Sequence, residues 1–109
     1  MAVSYKVLGQ SAPSATTDTT LYTVPSATET VVSTIVVCNR GGSSGSYRIA
    51  VRPDGASLAN EHYVAYDTAI SPNSTETWSI GATANASDVI TVYASSADFS
   101  FSVFGSEIS

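Results

Sequence analysis

The chain holds one histidine, His62, and one cysteine, Cys38. Nucleophilic catalysis needs a nucleophile held against a base, and these are the chain's single imidazole and single thiol. His62 follows Glu61 where a strand begins and reads as a rim or surface histidine. Cys38 ends an apolar run and reads as a small apolar side chain. Zinc needs several His or Cys ligands at short spacing, which the sequence lacks. Asp54, Asp67, Asp88 and Asp98 are scattered, form no calcium loop, and read as turn or strand-end residues. A glycosidase needs two facing carboxylates, and the nine acids fall mostly in loops. These residues predict no enzyme, no cofactor and no metal. Asn73-Ser74-Thr75 and Asn85-Ala86-Ser87 match the glycosylation sequon, as a Ser/Thr-rich chain does by chance.

The aromatic residues carry a second possibility, since tyrosine and tryptophan faces stack on sugars. Tyr22, Tyr47, Tyr63, Tyr66, Trp78 and Tyr93 are interleaved with apolar residues at strand period. Core packing accounts for most of them, leaving one or two tyrosines to mark a contact surface.

The elements that must place these residues are strands. Val31-Val32-Ser33-Thr34-Ile35-Val36-Val37-Cys38 is the longest β-branched run. It is apolar on both faces, with Val31, Ile35 and Val37 on one and Val32, Val36 and Cys38 on the other, which suits a central strand. Tyr47, Ile49 and Val51 then alternate with Arg48, Ala50 and Arg52. The glycine-rich link Asn39 to Gly45 predicts a hairpin between the two. Before them come Ser4–Gly9 and Thr19–Val24, the latter stopped by Pro25. After Pro53-Asp54-Gly55, a turn signal, come Glu61–Thr68 and Thr75–Ile80. Tyr63 is expected on one face of the first of these, with Val64 and Tyr66 on the other. A small-residue loop, Gly81–Ser87, follows. Asp88–Ala94 and Phe99–Phe104 read as a last hairpin, with Phe104 capping the core end. No stretch keeps a helical period.

About eight short strands predict an all-β fold, an antiparallel β-sandwich with Greek-key or jelly-roll connections. Residues 1–10 form an arm or first strand, 11–105 the sandwich, and 106–109 a short tail. At 109 residues the chain makes one domain. Charged residues are only 12%, the net charge is −5, and only Lys6, Arg40, Arg48 and Arg52 are basic. Nucleic-acid binding requires a cationic footprint, so it is not expected. No apolar run approaches a membrane span, and the N-terminus lacks the pattern of a signal peptide. Synthesis and retention in the cytoplasm, or release only when the cell lyses, with no membrane partner, is the expectation. A lone cysteine excludes an intrachain disulfide.

Several segments in order carry a resemblance. They are Thr19-Thr20-Leu21-Tyr22-Thr23-Val24-Pro25, Val36-Val37-Cys38-Asn39, His62-Tyr63-Val64-Ala65-Tyr66-Asp67, Asp88-Val89-Ile90-Thr91-Val92-Tyr93-Ala94 and Phe101-Ser102-Val103-Phe104-Gly105. Together they resemble small virion structural proteins of tailed bacteriophages, cyanophages among them. The resemblance runs from about Tyr5 to Gly105 and implies a β-sandwich that assembles into a particle. Capsid cement (decoration), tail, baseplate and fibre-associated proteins share such sandwiches, and fold does not fix role. The reading adopted is a capsid cement protein on the virion surface. Its expected partners are the major capsid protein and further copies of itself, as a homodimer or homotrimer. Tyr5 and Lys6, in an arm, are the candidate contacts, together with Arg48 and Arg52, which would pair with shell carboxylates. A glycan-binding adhesion module is the remaining alternative.

Overall fold

Nine strands make two antiparallel sheets in a computed structural model that describes residues 2–109. In chain order they are β1 (Val3–Ser11), β2 (Thr19–Thr23), β3 (Glu29–Asn39), β4 (Gly45–Arg52), β5 (Tyr63–Ile70), β6 (Ser74–Trp78), β7 (Ala82–Ala84), β8 (Val89–Ala94) and β9 (Phe99–Ile108). Single 3₁₀ turns occupy Pro53–Gly55 and Asn60–His62. The five-stranded sheet runs β1-β9-β3-β6, with β7 also on β3. The four-stranded sheet runs β2-β8-β4-β5. Nearly every connection therefore crosses between sheets, which is the winding of a jelly roll.

The crossing has a direct cause in the pattern. β4 buries Tyr47 and Ile49, while β3 buries Ile35 and Val37. Two strands that each present an apolar face bury more by stacking than by lying side by side. The expected hairpin across Asn39–Gly45 is thus a crossover between sheets. So is the expected hairpin across Ser95–Asp98, because β8 and β9 lie in opposite sheets. The first link is held firmly despite its glycines. Buried Asn39 donates from Nδ2 to the carbonyls of Ser43 (2.9 Å) and Ser71 (3.2 Å) and accepts from the Gly41 N–H. Arg40 reaches Ser100 Oγ (2.8 Å) and the Ala97 carbonyl (3.0 Å), tying both crossovers together.

Four further expectations change. Residues 106–109 are no tail: β9 continues to Ile108 and pairs with both β1 and β3. The expected loop Gly81–Ser87 contains β7, whose Ala82–Ala84 pair with Thr30–Val32. A bulge at Ser33 shifts the register of β3, so Val32 joins Ile35 and Val37 in the core while Val31 points out. Phe104 does not cap the core. β9 alternates without a break, so Phe99, Phe101 and Val103 are buried and Phe104 faces outward with Ser100 and Ser102. The N-terminal segment is an ordinary strand from Val3 on, hydrogen-bonded along β9; Met1 lies outside the described residues.

The core is aromatic at its centre. Tyr47 meets Phe101 edge-on at 6.2 Å and Phe99 at 6.5 Å, across the space between the sheets.

Candidate contact surfaces

Two tyrosines of the four-stranded sheet reach across to glutamates of the other. Tyr22 donates to Glu107 Oε2 (2.5 Å). With that proton committed, the Thr30 hydroxyl is the donor to Tyr22 at 2.9 Å. Lys6 closes the cluster on Glu107 Oε1 (2.6 Å). Tyr47 donates to Glu76 Oε1 (2.5 Å) and accepts from Trp78 Nε1 (2.7 Å). Burial, then the neighbouring carboxylate, pushes both phenols up to about 12. The bonds from Lys6 and Tyr22 hold Glu107 below the ordinary carboxylate value. These groups are paired ties, the two tyrosine–glutamate bonds running from one sheet to the other.

His62 is buried, not on the rim, and its Nδ1 accepts the Ala59 N–H at 3.0 Å, fixing the loop before β5. Cys38 is half-buried on the outside of β3. Among the described residues no three His, Cys, Asp or Glu side chains are grouped to hold a metal ion. No helix is long and apolar enough to cross a membrane.

What remains is surface, and the outer faces of the two sheets differ. On the five-stranded sheet, the register sets Tyr5 and Val31 on either side of Ser106, Val7 beside Phe104, and Val3 beside Ile108. Val3, Tyr5, Val7 and Val31 are exposed, Tyr5 at 84%. Tyr5 and Val31, with Ser33 and Ser106, line a shallow depression that also holds Phe104 and Gly105. β1 is an edge strand, but its backbone is poorly placed to add another strand. A bulge at Leu8 breaks its register and Lys6 is turned back toward Glu107, two devices that discourage edge pairing. Contact here would be through the face.

On the four-stranded sheet, the register between β4 and β5 shifts twice. Asp67 takes up a left-handed backbone, φ +48°, at the first shift. The extra residue places Tyr66 and Asp67 together opposite Arg48. Arg48 Nε donates to Asp67 Oδ1 (2.6 Å), and its guanidinium lies 4.3 Å from the ring centres of both Tyr66 and Tyr93. The hydrogen bond to Asp67 raises the Arg48 pKa. The second shift turns Tyr63 to the same face, edge-on to Tyr66 at 4.8 Å, where opposite faces were expected.

The four proposed contacts therefore fall in four settings. Tyr5 is free on the outer face. Lys6 pairs inside the chain with Glu107. Arg48 pairs with Asp67. Arg52 closes its own turn, donating to the carbonyls of Ala56 (2.7 Å) and Gly55 (3.2 Å) and to Thr91 Oγ1. Arg48 and Arg52, the two cations expected to meet a partner's carboxylates, already have partners at home, and so does Lys6 of the expected arm. Sequence reasoning missed Val3, Val7, Val31 and Phe104 on one face and the Tyr63–Tyr66–Asp67 group on the other. Their alternation with polar residues was visible, but the bulges that decide which way they point have no local signature beyond the polar Ser33 and Asp67 inside apolar strands. Compared with known proteins, the chain matches no family model, no curated protein and no solved structure.

Proposed function

We propose that this chain is a virion structural protein of a tailed phage, a capsid cement protein that seats the outer face of its five-stranded sheet on the shell. The observation that carries this reading is the group Val3, Tyr5, Val7 and Val31, four of the six large hydrophobic side chains exposed among the described residues, gathered on one outer face. Contiguous exposed apolar surface marks contact with another macromolecule. Jelly rolls are used by capsid domains, an analogy of fold that agrees with the segment resemblance and does not replace it.

The physics of a cement follows from repetition. A shell under pressure has many equivalent seams, and a small protein bridging each one multiplies a modest contact. An apolar strip keeps its grip when salt changes, because little of the contact depends on unscreened charge. Its partners are then the major capsid protein and, at a local symmetry axis, further copies of this chain.

The test is copy number. Heads emptied of DNA and freed of tails should retain the protein at on the order of hundreds of copies each. A protein that leaves with the tails, at a few to a few dozen copies, would replace this reading with a tail, baseplate or fibre role.

A further inference from the structure

The opposite face offers something a docking strip does not. The geometry points to a saccharide-binding shelf on the outside of the four-stranded sheet, where the rings of Tyr63 and Tyr66, with the Asn60 amide and the Asp67 carboxylate, would take a neutral hexose polysaccharide.

The first argument is rigidity. Tyr66 is 56% exposed, yet its ring is not loose. Arg48 lies over it, Tyr63 abuts it at 81°, and Arg48 is in turn gripped by Asp67 and backed by Tyr93. A ligand stacking there would not have to freeze a free side chain, which is a large part of the cost of binding at a surface. The backbone departs from regular strand to build the group: Asp67 sits at φ +48°, a conformation that non-glycine residues adopt at a cost.

The second argument is charge. The one cation of the group is neutralised by Asp67 at 2.6 Å. The chain carries a net charge of −5, and no other Lys or Arg side chain joins the group. Phosphate or sulfate would find no free positive partner here, so a neutral ligand fits better.

The third argument is hydrogen bonding. The inner hydroxyls of Tyr22 and Tyr47 are each bonded to a glutamate. Among the described residues, the hydroxyls of Tyr63, Tyr66 and Tyr93 and the side-chain amide of Asn60 bond to no other protein group. Asn60, Tyr63 and Tyr66 line one shallow hollow. Apolar ring faces beside free hydroxyls, an amide and a carboxylate match a sugar, which offers C–H faces ringed by hydroxyls. Trp78, the other aromatic that might have stacked on a glycan, is turned inward and bonded to Tyr47.

This inference does not depend on the virion reading, and its test uses the purified chain alone. Gluco-, galacto- and manno-oligosaccharides would be titrated by calorimetry, with amide chemical shifts followed by NMR and sulfated oligosaccharides run beside them. Saturable binding of at least one neutral oligosaccharide is expected, with shifts centred on Asn60, Tyr63 and Tyr66. Tyr66→Ala should weaken it about tenfold or more, as loss of a central aromatic contact does, while Tyr66→Phe, which keeps the ring and loses one hydroxyl, should weaken it less, and both variants melt as the parent does. The inference is overturned by no binding to any neutral oligosaccharide or by binding that needs sulfate. It is equally overturned by binding that Tyr66→Ala leaves intact, or by shifts at these residues that track self-association. A negative result here would leave the copy number on heads untouched.

Discussion

Glu107 joins three strands in two sheets, because it accepts from Tyr22 and from Lys6 at once. Its carboxylate is held below the ordinary value of 4.5. A depressed carboxylate contributes stability that is present above its unfolded pKa and is lost as pH falls through its folded pKa. The acid limb of the stability profile should thus begin near 4.5 and run down past the lowered value. Glu107→Gln removes the titration, so thermal melts of that variant should show a shallower acid limb than the parent. Glu107→Ala removes the charged acceptor shared by Tyr22 and Lys6, leaving Tyr22 only Thr30, and should cost about 1–3 kcal/mol at neutral pH, measured by denaturant unfolding. An acid limb in Glu107→Gln identical to the parent's would show that other carboxylates set it. Tyr47 and Glu76 make the matching tie at the far edge of the sheet, so neither pair can be removed without loosening one side of the sandwich.

At the scale of elements, β9 is the straight member around which its neighbours bend. β1 slips register at Leu8, opposite the Val103–Phe104 step of β9, and β3 at Ser33, opposite the next step, Phe104–Gly105. Gly105 permits this: a Cβ there would run into the carbonyl oxygen of Val31 and crowd Leu8. Gly105→Ala is expected to destabilise by about 1–3 kcal/mol in urea unfolding, the usual range for overpacking. A neutral result would mean that β3 can move away freely. The sequence made most strands legible, since alternation in β4 and β9 and the turn at Pro53 are local signals. It did not reveal which strands pair. Asn39–Gly45 and Ser95–Asp98 look like hairpin loops because glycine and serine permit a turn without stating its direction. That direction is set by Tyr47 packing on Phe99 and Phe101, contacts about fifty residues apart in sequence, and by Arg40 linking the two crossovers. The outward-facing residues were hidden for a related reason. A bulge reverses every side chain beyond it, and Ser33 and Asp67 give little notice that they are bulges.

On the scale of the whole molecule, the two outer faces point in opposite directions and carry different chemistry, one aliphatic with a single exposed tyrosine, the other aromatic and hydroxylated. A protein seated on a shell by the first would turn the second toward the medium. That arrangement can be tested without knowing the orientation in advance. Tyr5→Asp with Val7→Asp puts two like charges on the strip, next to a chain that is already acidic, and removes its apolar area. Both side chains are exposed, so the melting temperature should stay within about 2–4 °C of the parent, a shift expected of surface changes. Rebinding to stripped heads should fall by more than about tenfold, since burying each side chain contributes on the order of 1–3 kcal/mol and each 1.4 kcal/mol is tenfold in affinity. Tyr66→Asp, on the far face, should rebind like the parent. If Tyr66→Asp abolishes rebinding and the Tyr5/Val7 variant does not, the molecule sits the other way up, and the aromatic face is the one that grips the shell.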